Sequence, residues 1–97
     1  MKTYDEVYTL LCESILARFR VTKDQLKPEA KLQEDLKLDS LDFADLICEI
    51  EDRYGKELVP NDDKEVVDAY HKACAGTMKD MTEFLLEIVN KEESKHE

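Results

Sequence analysis

Apolar positions recur at helical spacing in four stretches of the chain, each bounded by a capping residue or a breaker. Over residues 3–19, Tyr4, Val7, Tyr8, Leu11, Ile15 and Phe19 share one side of a helix, and Leu10, Cys12 and Leu16 widen that stripe. Asp5 and Glu6 suit its positive N-terminal end, Arg18 and Arg20 its C-terminal end. A second helix is predicted from Ser40 to Tyr54, with Phe43, Leu46, Ile47, Ile50 and Tyr54 gathered into a buried stripe. Asp39 is its natural N-cap, and Gly55 falls where a left-handed residue closes a helix. Asp62, with Glu65 three residues on, marks the start of a third helix. Val66, Val67, Tyr70, Ala73 and Cys74 form its apolar face, and Gly76 ends it. Thr77 and Asp80 open a fourth, with Met81, Phe84, Leu85, Ile88 and Val89 as its stripe and Met78 and Leu86 alongside.

Between the first two helices the pattern loosens. Val21, Leu26, Leu32, Leu36 and Leu38 recur irregularly, and Pro28 interrupts any helix. A connection this long is functional or packed by its own side chains, and the leucines favour a loop pinned to the bundle. The expected fold class is therefore all-α, a four-helix bundle with one long loop. Residues 1–90 form the single domain, and the polar stretch 91–97 is expected to fray as a tail.

Composition narrows the partners. The 97 residues carry a net charge of -10, which argues against nucleic acid and anionic membrane surfaces and favours basic protein faces. No apolar run approaches membrane-spanning length, and Asp5 and Glu6 stand where a signal peptide would be basic or apolar. A cytoplasmic monomer without stable membrane insertion is the expectation. Cys12, Cys48 and Cys74 form no close pair and read as reduced thiols.

The second helix carries more than a core stripe. On a helical wheel Leu41, Ala44 and Cys48 fall on a different side from the buried set, flanked by Asp45 and Asp52 on one side and Glu51 on the other. A helix serving only a core would make that side uniformly polar. A small apolar patch ringed by acids is the composition of a docking surface, with steering charge around a centre that can be desolvated. The plainer reading is a solvated acidic face with incidental Ala and Cys. Ser40 occupies the first helical position, where a phosphate esterified to its hydroxyl would meet unpaired backbone N–H groups. By position alone a serine there is more often a helix-start residue than a modification site.

Catalytic and metal chemistries find no support. Ser40 and His71 could be imagined in a triad, but no G-x-S-x-G elbow surrounds the serine. His71 and Cys74 lie one turn apart and would make half a metal site, with no second pair to complete it. His96 falls in the polar tail, and the acids lack the spacing of a calcium loop. No catalytic residue and no metal ligand is expected.

The triplet D-S-L at Asp39 to Leu41, preceded by E-D-L at Glu34 to Leu36 and followed by an acidic amphipathic helix, resembles the acyl carrier protein family. The first helix, the long loop and the closing helix match in kind, so the resemblance covers about Tyr4 to Val89. It implies that Ser40 receives 4′-phosphopantetheine from coenzyme A through a separate phosphopantetheinyl transferase, which Asp39 would help engage. The arm's thiol would then carry acyl intermediates as thioesters between the acyl synthases and acyltransferases of fatty acid, lipid or polyketide synthesis. Leu41, Ala44 and Cys48 match the exposed apolar positions of the family's recognition helix. Asp42, Asp45, Glu51 and Asp52 match acids that meet Arg and Lys on partners. A long acyl chain is expected to insert among the first, second and fourth helices.

Two departures from the family pattern stand out. Lys37 replaces the glycine of L-G-x-D-S-L, adding a positive charge beside Ser40, and the segment 56–80 is longer than the family's short third helix and loop. Both point to a specialised carrier. Two other readings stay open at this level: an unmodified acidic helical adaptor, and a peptidyl or aminoacyl carrier.

Overall fold

The computed structural model describes residues 2–94, which hold four helices and no strand: α1 (Tyr4–Arg18), α2 (Ser40–Tyr54), α3 (Lys64–Cys74) and α4 (Met78–Ser94). The four-helix architecture expected from the sequence is present, with the long loop between α1 and α2.

α1 starts at Thr3, whose hydroxyl accepts from the Glu6 N–H while the Glu6 carboxylate accepts from the Thr3 N–H. That reciprocal cap satisfies two N-terminal donors, and these bonds hold the Glu6 carboxyl below its ordinary range. Val7, Leu11 and Ile15 are buried, as is Ser14, whose hydroxyl donates to the Leu10 carbonyl at 2.7 Å. α2 follows the predicted bounds, capped by Asp39 and closed by Gly55 at φ 94°. α3 begins one residue later than expected. Asp63, not Asp62, caps it, because the Asp63 carboxylate is the one that reaches the Val66 N–H.

Gly76 follows α3 for a different reason from Gly55. It needs no left-handed backbone, but a Cβ there would collide with the Asp80 carboxylate. That carboxylate accepts from the Thr77 N–H, and the Thr77 hydroxyl accepts from the Asp80 N–H, so α4 opens on the predicted box. α4 then runs on to Ser94, through residues expected to fray. Tyr54 of α2 donates to Glu93 at 3.1 Å, and Lys91 lies 3.8 Å from Glu87, which ties the last turns down. His96 and the rest of 95–97 lie outside the described residues.

The loop is pinned both by side chains and by backbone. Leu26, Ala30, Leu32, Leu36 and Leu38 are all buried, and the Tyr8 hydroxyl donates to the Leu26 carbonyl. The Leu32 N–H donates to Gly76 O, Met78 N–H to Ala30 O and Lys79 N–H to Pro28 O. These bonds fasten the middle of the loop to the corner between α3 and α4. α1 packs against both α2 and α4, whereas α3 packs mainly on α4. Met78 and Met81 are core, as expected.

Candidate functional site

The site is assembled from the end of the loop and the start of α2. Leu36 and Leu38 point into the core, and the Leu38 N–H donates to the Leu32 carbonyl at 3.1 Å. Lys37 between them is exposed and takes φ 61°, the only non-glycine with positive φ among the described residues. The turn the family makes with glycine is therefore made here by lysine, at a cost of about 1–2 kcal/mol of backbone strain. Asp39 and Asp42 cap α2 reciprocally: Asp39 accepts from the Asp42 N–H at 2.9 Å, and Asp42 accepts from the Asp39 N–H at 3.0 Å.

Ser40 then sits exposed on the first turn. The backbone N–H groups of Ser40 and Leu41 meet no acceptor among the described residues. A phosphodiester on the Ser40 oxygen would find these two donors and the positive end of a 15-residue helix. The residues present fit a phosphate-linked group.

The Leu41–Ala44–Cys48 side of α2 is open, as the wheel suggested. Leu41 is 76% exposed, and Ala44 and Cys48 below it are exposed as well. The acids divide into two sets. Asp45 and Asp52 are exposed, with Asp45 only 3.8 Å from the Arg18 guanidinium of α1. Asp42 is engaged in the cap. Glu51 also serves the fold: its carboxylate accepts from the Leu58 N–H at 2.7 Å and the Val59 N–H at 3.1 Å. It clips the α2–α3 connection, whose turn would otherwise leave both donors unpaired.

A cleft of about 830 Å³ opens beside Ser40, within the size range of small-molecule sites. Its walls are Phe43, Ala44 and Ile47 of α2 and Val67, Tyr70, His71 and Cys74 of α3, with Lys37, Leu38 and Ser40 at one border. This cleft lies between α2 and α3, where α3 stands off from α2, and a second, smaller cavity of about 500 Å³ lies among the first, second and fourth helices, bordered by Val7, Leu10, Tyr54 and Val89. Tyr70 bridges the gap, its hydroxyl donating to the Phe43 carbonyl at 2.8 Å. Burial, followed by the nearby Cys74, raises the Tyr70 phenol well above its ordinary value. Burial likewise pushes the Cys74 thiol up to about 11, so it is an inert wall rather than a nucleophile at neutral pH. His71 and Cys74 line the same cleft, but no group of three metal-ligating side chains exists among the described residues.

Three comparisons bear on the identity. A family model for the phosphopantetheine attachment site matches residues 9–62, from within α1 to the connection before α3. The acyl carrier protein of Lactobacillus johnsonii is 35% identical over 63 residues, covering 65% of this chain and 78% of the relative. Those of Chlorobium phaeovibrioides and Chlorobium luteolum are each 38% identical over 69 residues, covering 71% of this chain and 82% of the relative. No solved structure matches with significance. The chain belongs to the acyl carrier protein family, the carriers that hold acyl groups on covalent 4′-phosphopantetheine. Such proteins are carriers rather than catalysts, serving synthases and transferases. No helix among the described residues is long and apolar enough to cross a membrane.

Proposed function

We propose that Ser40 is the attachment residue and that this chain hands acyl thioesters from enzyme to enzyme in the cytoplasm, doing no bond-making itself. The observation that carries this is the exposed Ser40 hydroxyl on the first turn of α2, beside two open N–H donors and at the border of an apolar-walled cleft. A phosphopantetheinyl transferase joins the Ser40 oxygen to the pantetheine-bearing phosphorus of coenzyme A, breaking the pyrophosphate bond and releasing adenosine 3′,5′-bisphosphate and the hydroxyl proton. The bound group supplies a terminal thiol on a flexible arm. Everything else is the chain's own work.

Asp39 holds the first turn in place through its bond to the Asp42 N–H, which fixes the direction in which Ser40 projects. Leu41, Ala44 and Cys48 form the apolar centre that a partner covers. Asp45 and Asp52 steer basic partner surfaces toward it. The Arg18–Asp45 pair is solvent-exposed and weak enough to be exchanged for a partner's cation. Asp42 and Glu51 add to the field of this face while their oxygens serve the fold. The cleft between α2 and α3 shelters the cargo, with Tyr70 across it.

The test is intact mass. After incubation of the monomeric protein with coenzyme A and a phosphopantetheinyl transferase, one phosphopantetheine should be gained, and Ser40→Ala should gain none. An unmodified adaptor would keep its mass. Mass spectrometry of protein isolated from its host would identify the cargo, an aminoacyl or peptidyl load overturning the acyl reading.

A further inference from the structure

We infer that Lys37 is a positioning residue for the prosthetic arm, its ammonium group pairing with the phosphodiester on Ser40. This rests on the reading of Ser40 as the attachment residue.

Lys37 is exposed just before the first turn of α2. It makes no ion pair among the described residues, although acids crowd the sequence around it. Each of those acids is engaged elsewhere. Glu34 lies 3.4 Å from the Lys31 ammonium, and the Asp35 carboxylate accepts from the Lys31 N–H at 2.8 Å. Asp39 and Asp42 bind each other's backbone N–H groups. A lysine left unpaired in so acidic a chain is an open cation.

Its place is the second observation. Lys37 borders the same cleft as Ser40 and is held there by the burial of Leu36 and Leu38 on either side. Its backbone sits at φ 61°, a conformation that lysine adopts at a cost and glycine would adopt freely. Charge balance supplies the third. A phosphodiester on Ser40 is an anion set next to the carboxylates of Asp39 and Asp42. Helix-end N–H groups offset part of that repulsion, and a nearby cation offsets more. Lys37 is the cation at that border of the cleft.

The experiment is ³¹P NMR of the loaded protein, whose arm contributes one phosphodiester signal, in the wild type and three variants. Lys37→Arg keeps the charge. Lys37→Asn removes it with a residue that tolerates the left-handed backbone, and Lys37→Gly removes it and the strain together. The expected result is that the wild type and Lys37→Arg share one ³¹P shift. Lys37→Asn and Lys37→Gly should share another, displaced toward that of free phosphopantetheine. Added salt should move the first pair toward the second and leave the second unmoved. In the wild type the Lys37 ε-CH₂ resonance should shift on loading. All four proteins giving one ³¹P shift would overturn the inference, as would Lys37→Arg grouping with Lys37→Asn. A separation of Gly from Asn would do the same, since it would point to backbone geometry rather than charge. If the wild type acquires no phosphodiester signal at all, the attachment reading fails first, which keeps the two failures distinct.

Discussion

α1 and α3 flank the same bundle and are built to opposite specifications. α1 presses against two helices and loses Val7, Leu11, Ser14 and Ile15 entirely to the interior. α3 packs mainly on α4, and only Ala73 and Cys74 at its C-terminal end are buried, while Val66, Val67 and Tyr70 remain half-buried. The difference shows where a small domain places its stability and where it keeps room. One wall holds the fold together; the other stands back from α2 and leaves the cleft. Elements that must yield to a ligand come from the less buried part of a structure.

The contrast can be broken most forcefully at Leu11. Leu11→Ala removes a fully buried side chain between α1, α2 and α4 and should cost about 2–5 kcal/mol in denaturant unfolding. Val67→Ala on the cleft wall should cost about 1 kcal/mol or less. Equal losses would mean that α3 is as integral as α1. Tyr70→Phe comes next. It deletes the donor to the Phe43 carbonyl and should cost about 0.5–1.5 kcal/mol. Hydrogen exchange should then quicken across α3 and leave α1 unchanged.

Alkali probes the same wall. The Cys74 thiol rises from 9.0 to about 11 in the fold, so between those values the unfolded chain releases a proton that the folded chain keeps. This contribution to stability is complete below pH 9 and is lost as pH climbs toward 11. Cys74→Ala should flatten part of the decline in Tm over that interval. Below it, at pH 8, a small alkylating reagent should label exposed Cys48 well before Cys74. The smallest effect on stability is expected at Asp52, where Asp52→Lys should leave unfolding within about 0.5 kcal/mol of the parent. The same change should still slow turnover by a basic-faced partner enzyme. Unaltered turnover would remove Asp52 from the docking face.

The four helices and the first turn of α2 were legible because their signals are local. Asp39 before Ser40, Gly55 after Tyr54 and the split between the Leu41–Ala44–Cys48 side and the Phe43–Leu46–Ile50 stripe all follow from spacing within one helix. The Thr3–Glu6 box was equally local and open to reading, since Thr followed three residues later by Glu is its signature. The cleft was not legible. It exists because Tyr70 reaches the Phe43 carbonyl, 27 positions away, and because α3 leans on α4 rather than α2. The structural role of Glu51 was hidden for a similar reason. A wheel shows the side on which a carboxylate starts, not the Leu58 and Val59 donors it bends to meet.

The backbone ties between the long loop and the corner after α3 have a mechanical corollary. Leu32, Ala30 and Pro28 grip Gly76, Met78 and Lys79, and Gln33 adds a bond to the Cys74 carbonyl at 3.2 Å. That junction behaves as a fixed pivot, while the opposite tip of α3, near Lys64 to Val67, has far less holding it. Amide exchange should accordingly start at that loosely tethered tip and reach the clamped corner last.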